Sequence, residues 1–176
     1  MIRLFGAGRI CILVLAASAL FGCTNNAPPE GQPSFYQDLA GPAATLDAAA
    51  AQSMISGYRY NNGLDAVTLD PELMRLANEQ ASAMAAAGKL DHEVAHPFQE
   101  RIRKSHFDAG VAVENIGAGY HTLAEAFSGW RDSPPHRANM LNASVTRMGI
   151  AAVYTPKSKY KVFWALILAA PDQRHS

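Results

Sequence analysis

From Val162 to Ala169 the chain is apolar at every position, reading Val-Phe-Trp-Ala-Leu-Ile-Leu-Ala. With Tyr160 and Lys161 leading in, this predicts a strand over Tyr160–Ala169. Successive side chains of a strand point to opposite faces. A strand that is apolar on both faces must be central in its sheet and covered on each side by other elements. That requirement limits what the preceding residues can build.

Those residues supply helices. Ala43–Asn61 is Ala-rich with apolar residues at helical spacing, and Asn62-Gly63 stops it. Asp70-Pro71-Glu72 has the composition of a helix start: Asp as N-cap, Pro in the first helical position, Glu in the first turn. This second helix is predicted to run to Ala87 and end at Gly88, with Leu73, Leu76, Ala77, Gln80 and Met84 on one stripe. Pro97 opens a third, and Gln99–Lys104 are good helix formers. Val111-Ala112-Val113 reads as a short strand that ends in the polar pair Glu114-Asn115 and is followed by a Gly-rich turn, Ile116–Gly119. Thr122 can cap a helix carrying Leu123, Ala126, Phe127 and Trp130, and Ser133 can cap a short one opening with Pro134-Pro135. Met148–Tyr154 reads as a strand joined to the last by a hairpin-like connection. Helices first and strands late predict an α+β fold, a three-layer α-β-α sandwich with a mainly antiparallel central sheet.

The N-terminal residues read differently. Arg3 and Arg9 precede an apolar run, Ile10–Leu20, that is short for a bilayer span. It ends in Leu20-Phe21-Gly22-Cys23, similar to the lipobox at which a lipoprotein signal is cut before an acylated cysteine. Residues 1–22 are therefore expected to be a signal peptide. Cys23 is the expected lipidation site (palmitate and related acyl chains), and residues 23–42 a flexible Pro/Gly/Asn-rich tether. Acyl chains on Cys23 would anchor the protein to a membrane. Thr24, rather than Asp, after the cysteine fits outer-membrane sorting if the cell is Gram-negative. Cys11 leaves with the signal, so no disulfide is expected in the mature domain. The charge is balanced, 15 basic against 15 acidic residues, which gives no support for a nucleic-acid partner. No internal repeat or second domain is visible.

Three segments could carry chemistry. His92-Glu93-Val94-Ala95-His96 matches the H-E-x-x-H pattern of zinc peptidases, which needs a continuous helix to aim both imidazoles at one ion. Gly88 before it and Pro97 after it argue instead for a loop. Glu114 in Glu114-Asn115-Ile116-Gly117 is either a hydrogen-bond acceptor that fixes a turn or a site carboxylate. His136 lies early in the helix after Ser133, where a histidine is structural or catalytic; Arg137 and Asn139 beside it can fix nearby loops.

In order, these segments resemble the CAP superfamily (SCP domain: cysteine-rich secretory proteins, antigen five and pathogenesis-related-one proteins), and its short bacterial branch in particular. The resemblance rests on the helix ending Tyr60-Asn61-Asn62 and on Leu69-Asp70-Pro71-Glu72-Leu73. It rests further on a histidine after the second helix, Glu114-Asn115-Ile116, Trp130-x-x-Ser133-Pro134-x-His136-Arg137-x-Asn139-x-Leu141, and Met148-Gly149-Ile150-Ala151. It makes residues 43–176 a CAP domain with the three-layer fold of that family. It implies a pocket lined by His92, Glu114 and His136, with His96 a rival for the first histidine. The family's second acid has no clear match, Asp132 and Glu125 being substitutes. These three residues could hold a metal, zinc in some relatives, or form a structural hydrogen-bonded cluster. His136 and Glu114 are also the candidates for acid–base catalysis, and no serine is convincingly placed as a nucleophile. The resemblance implies no required cofactor. The leading expectation is a non-enzymatic, membrane-anchored, extracytoplasmic module that binds a lipid, an envelope polymer or a protein. The rival is a zinc-dependent or His/Glu-assisted envelope hydrolase such as a peptidase.

Overall fold

The computed structural model describes residues 31–172. The expected signal peptide, Cys23 and most of the tether lie outside them. The described residues contain helices α1 (Ala48–Tyr60), α2 (Pro71–Ala87), α3 (Phe98–Arg103), α4 (Leu123–Asp132) and α5 (Pro134–Met140). Strands β1 (Thr68–Leu69), β2 (Ala109–Ala118), β3 (Arg147–Tyr154) and β4 (Val162–Pro171) form one sheet in the order β1-β3-β4-β2.

The apolar run is β4, and it is interior, with β3 antiparallel on one side and β2 antiparallel on the other. Val162, Trp164, Leu166 and Leu168 enter one core with Ile55 of α1, Trp130 of α4 and Met140 of α5. Phe163, Ala165, Ile167 and Ala169 enter the opposite core with Leu73, Leu76 and Met84 of α2 and Ile102 of α3. Helices therefore cover both faces, and full burial of each large apolar side chain stabilises by roughly 1.5–3 kcal/mol.

The sheet is mixed, which corrects the expectation of a mainly antiparallel one. Thr68 and Leu69 pair in parallel with Arg147 and Met148. A two-residue strand carries no periodicity, so nothing local betrays it. A second correction concerns β2, which runs on past Glu114-Asn115 through Ile116–Ala118, where a Gly-rich turn is expected. At Gly117 an added Cβ would press on the Tyr120 ring at 3.2 Å.

The local start signals act as expected in most cases. Asp70 accepts from the backbone N–H groups of Glu72 (2.9 Å) and Leu73 (3.0 Å), and Gly88 closes α2 in the left-handed region at φ 63°. Thr122 and Glu125 form a reciprocal capping box on α4. Helix α1 begins at Ala48 rather than Ala43, because Asp47 accepts from Ala50 N–H and sets the start. Ser133 occupies the cap position of α5, but its hydroxyl makes no cap hydrogen bond. Among the described residues no helix is long and apolar enough to cross a membrane.

Candidate functional site

Strand β2 is buried at each of Glu114, Asn115, Ile116 and Gly117, and the Glu114 side chain is 1% exposed. A carboxylate withdrawn from water to this degree requires compensating charge and hydrogen bonds. Arg101, one turn along α3 from Phe98, provides both: its Nη2 donates to Glu114 Oε1 at 2.9 Å and to Oε2 at 2.8 Å. The guanidinium lies over the Phe98 ring, 5.2 Å from its centroid. His92 Nδ1 completes the cluster, 2.8 Å from Glu114 Oε1.

Residues 92–96 form turns and bends rather than a helix. The peptidase reading of His92-Glu93-Val94-Ala95-His96 therefore lacks the geometry its mechanism needs. Asp91 Oδ1 accepts from Glu93 N–H at 3.0 Å, and Gln80 Nε2 donates to Asp91 O at 2.8 Å, tying the loop to α2. Arg101 holds its other part, donating from Nη2 to His92 O (3.3 Å) and from Nε to His96 O (3.2 Å). One arginine thus fixes the loop and neutralises the carboxylate that His92 faces. The His96 side chain lies apart, lining a depression with Arg75, Glu79 and Lys104.

On the other side of the strand edge, Asn139 Nδ2 donates to Glu114 O (3.2 Å) and Asn115 Oδ1 (2.9 Å). Asn115 Nδ2 donates to His136 O at 2.9 Å, which docks α5 on β2. His136 precedes Asn139 by three residues and so shares its helix face. Its imidazole makes no hydrogen bond to Glu114, but it lies close enough to His92 to feel that ring's charge. The fold thus brings His92 and Glu114 into contact, while His136, on α5, is tied to the cluster through its backbone carbonyl, and its side chain is not among those lining the cleft beside Glu114.

Asp132 and Glu125 do not join the cluster. Asp132 pairs with its neighbour Arg131 at the surface (2.9 Å), and Glu125 spends its carboxylate on the α4 cap, accepting from His121 and Thr122 N–H. The cluster's further charged member is a base, Arg101. In the sequence Arg101 reads only as a helix former; α3 buries it beside Ile102, and six residues are too few to reveal that in advance.

The electrostatics follow from these contacts. The hydrogen bond from Glu114 raises the His92 pKa above its ordinary value, and burial opposes the rise. Burial lowers the His136 pKa, and the charge of His92 lowers it further. The two rings are thus shifted in opposite directions.

The zinc expectation does not fit this arrangement. Both Glu114 oxygens are engaged by a guanidinium whose fixed positive charge opposes a divalent cation at the same place. Among the described residues, no three His, Cys, Asp or Glu side chains gather as a ligand group. What the arrangement offers is an open cleft of about 330 Å³ between Pro97, Phe98 and Gln99 on one side and Asn139 on the other, with His92, Ala112, Val113 and Glu114 along it.

Comparison with known proteins matches residues 52–168 to the family described as "CAP: Cysteine-rich secretory protein family". A Bacillus subtilis (strain 168) protein, "Uncharacterized protein YkwD", is 29% identical over 123 residues, 62% of this chain and 48% of that protein. The chain thus spans about half the length of this curated relative. Among solved structures, an outer surface protein from Borrelia burgdorferi aligns with a TM-score of 0.64 at 18% identity, over 73% of this chain and 98% of that one. An extracellular SCP-domain protein from Bacillus anthracis str. Ames aligns at 0.60 and 20% identity, over 69% of this chain and 39% of that one. At these identities the two structures speak for the fold alone. With the family match covering most of the described residues, the chain belongs to the CAP superfamily and is of the bacterial type.

Proposed function

We propose that this protein is an extracytoplasmic CAP-domain module, tethered to a membrane through acylated Cys23, that captures a ligand in the cleft beside Glu114 without turning it over. In this reading residues 1–22 are removed as a signal, residues 23–42 carry the lipid and form the tether, and residues 43–176 form the binding domain. The relatives described as extracellular and as an outer surface protein support a place outside the cytoplasm. The observation that carries the binding role is the engagement of both Glu114 oxygens by Arg101. A carboxylate with both oxygens occupied by a guanidinium serves to fix the cleft wall.

The hydrolase reading draws on one observation, the His92–Glu114 contact at 2.8 Å, which has the form of a base and its orienting acid. It needs a nucleophile or an activated water at the same ring. Ser133, the serine nearest in sequence to His136, belongs to the α4–α5 junction and makes no hydrogen bond to either imidazole.

The test uses the full chain produced in a bacterium that processes lipoproteins. Membrane fractionation with palmitate labelling is expected to find the protein membrane-bound and labelled, and to find Cys23→Ser soluble and unlabelled. Equal release of both forms overturns the anchor. Incubation with envelope preparations is expected to give retention without hydrolysis. Chelator-sensitive release of fragments, abolished by His92→Ala, overturns the binding reading in favour of the hydrolase.

A further inference from the structure

Strand β2 is an edge of the sheet: β4 pairs with one side of it, and among the described residues no strand pairs with the other. Backbone groups of successive residues alternate between the two sides. The outward set is identified by two side-chain contacts, Asn139 Nδ2 to Glu114 O and Trp130 Nε1 to Ile116 O (3.0 Å). The same alternation turns the N–H and C=O of Ala112 outward, and no side chain among the described residues caps them. The adjoining sequence, Ala109-Gly110-Val111-Ala112-Val113, has no charge or proline to protect the edge from pairing; a register irregularity between Ala109 and Val111 interrupts the ladder at its start, and pairing is regular from Val111 onward. Val111, Ala112 and Val113 are half-buried, and the cleft runs along Ala112, Val113 and Glu114 with Phe98 opposite.

We propose that the occupant of this cleft is an extended polypeptide segment that adds to β2 as a further strand. This deepens the binding reading given above and rests on it. The segment's backbone pairs with Ala112, one of its side chains packs on Phe98 and Ala112, and its path ends where Asn139 caps Glu114 O. Another backbone meets the outward N–H and C=O of Ala112 in full. An acyl chain would leave them unpaired and desolvated, which costs on the order of 1–3 kcal/mol for each group. A second copy of this chain is disfavoured by shape. An edge sunk between Phe98 and Asn139 is reached by a slender strand, but not by the equally sunken edge of its twin.

The test is titration of the isotope-labelled protein, followed by amide NMR, with an uncharged nine-residue peptide of alternating valine and threonine. A second titration uses the same peptide N-methylated at two adjacent central residues, so that whichever of its edges faces β2 loses one central donor. The expected result is shifts centred on Ala112 and Val113, with affinity at least about tenfold weaker for the methylated peptide, the loss of about one good hydrogen bond. Ala112→Pro, which removes one outward donor at an edge position that tolerates proline, is expected to lower affinity similarly while its melting curve confirms folding. Equal binding of both peptides, or shifts away from β2, overturns strand addition. Concentration-dependent self-association that protects Ala112 without peptide overturns it in favour of a second copy. Capture of phospholipid vesicles or peptidoglycan fragments with no response to peptide overturns it and leaves the binding module standing, whereas hydrolysis of the peptide overturns both readings.

Discussion

Arg101 meets Glu114 through a single nitrogen, Nη2, which reaches both carboxylate oxygens at 2.9 and 2.8 Å, with the two side chains 7% and 1% exposed. Breaking one side of such a pair leaves a buried charge without compensation. Arg101→Met is therefore expected to destabilise the domain by about 3–5 kcal/mol. The double variant Arg101→Met/Glu114→Leu, which removes both charges, is expected to recover much of that loss. Urea unfolding of the two single variants and the double variant measures the coupling; additive losses would mean that the pair does not act as a unit.

The two site histidines are expected to impose opposite pH dependences. His92 has its folded-state pKa raised by Glu114, so its contribution is complete below the unfolded value of about 6.5 and fades as pH rises through the folded value. His136 has its pKa lowered by burial and by His92, so its contribution is present above about 6.5 and fades as pH falls through its lowered value. The His92 side chain is 47% exposed, and solvent screening keeps its share small. NMR titration of the imidazole protons is expected to place His92 above His136. In His92→Gln the His136 midpoint is expected to rise, because one cause of its depression is gone; an unchanged midpoint would show the rings to be uncoupled.

A second buried arginine does purely structural work. Arg59, fully buried, donates to Asp65 O (2.8 Å), Met140 O (2.8 Å), Asn142 O (2.8 Å) and Val145 O (3.1 Å). Burial lowers its pKa, and the charge of Asp65 opposes that. Arg59→Met orphans these carbonyls together and is expected to destabilise by about 3 kcal/mol or more. Arg59→Lys is expected to recover only part, since an ammonium lacks the planar fork that spans them. Denaturant midpoints of the two variants give the comparison.

Gly149 of β3 lies directly under the Leu73 carbonyl of α2, and a Cβ there would overlap the backbone of Leu73 and Met74. Neither partner is a flexible side chain, so α2 must lift from the sheet to admit a methyl group. Gly149→Ala is expected to lower stability by about 3 kcal/mol, the upper end for overpacking. Gly57, with nothing within 4 Å of its Cβ position, is the control and is expected to gain slightly as alanine in α1. Thermal melts of the two variants check the contrast.

Much of the fold was legible because its signals are local. The apolar β4, the Asp70-Pro71 start and Gly88 stop of α2, and the Thr122 cap of α4 each announce themselves within a few residues. The rest depends on partners remote in sequence. Glu114 and Asn115 look like the end of a strand, yet β2 continues through them because Arg101, Asn139 and the His136 carbonyl satisfy their polar groups. β1 exists only by its pairing with Arg147 and Met148. His92, Glu114 and His136 were readable from family resemblance, whereas Arg101, the residue that decides what the carboxylate can do, was hidden inside a helix too short to display a clear stripe.

The parallel pairing of Thr68 with Arg147, and the bonds from Arg59 to residues 140–145, stitch the first third of the domain to its last. A polypeptide delivered N-terminus first cannot consolidate α1 as it emerges, because the groups that lock that helix arrive more than eighty residues later. The domain must mature in one late, concerted step, and such long-range closure slows folding. Until then its early helices remain open to capture by chaperones, or by proteases in a chain cut short before Val145.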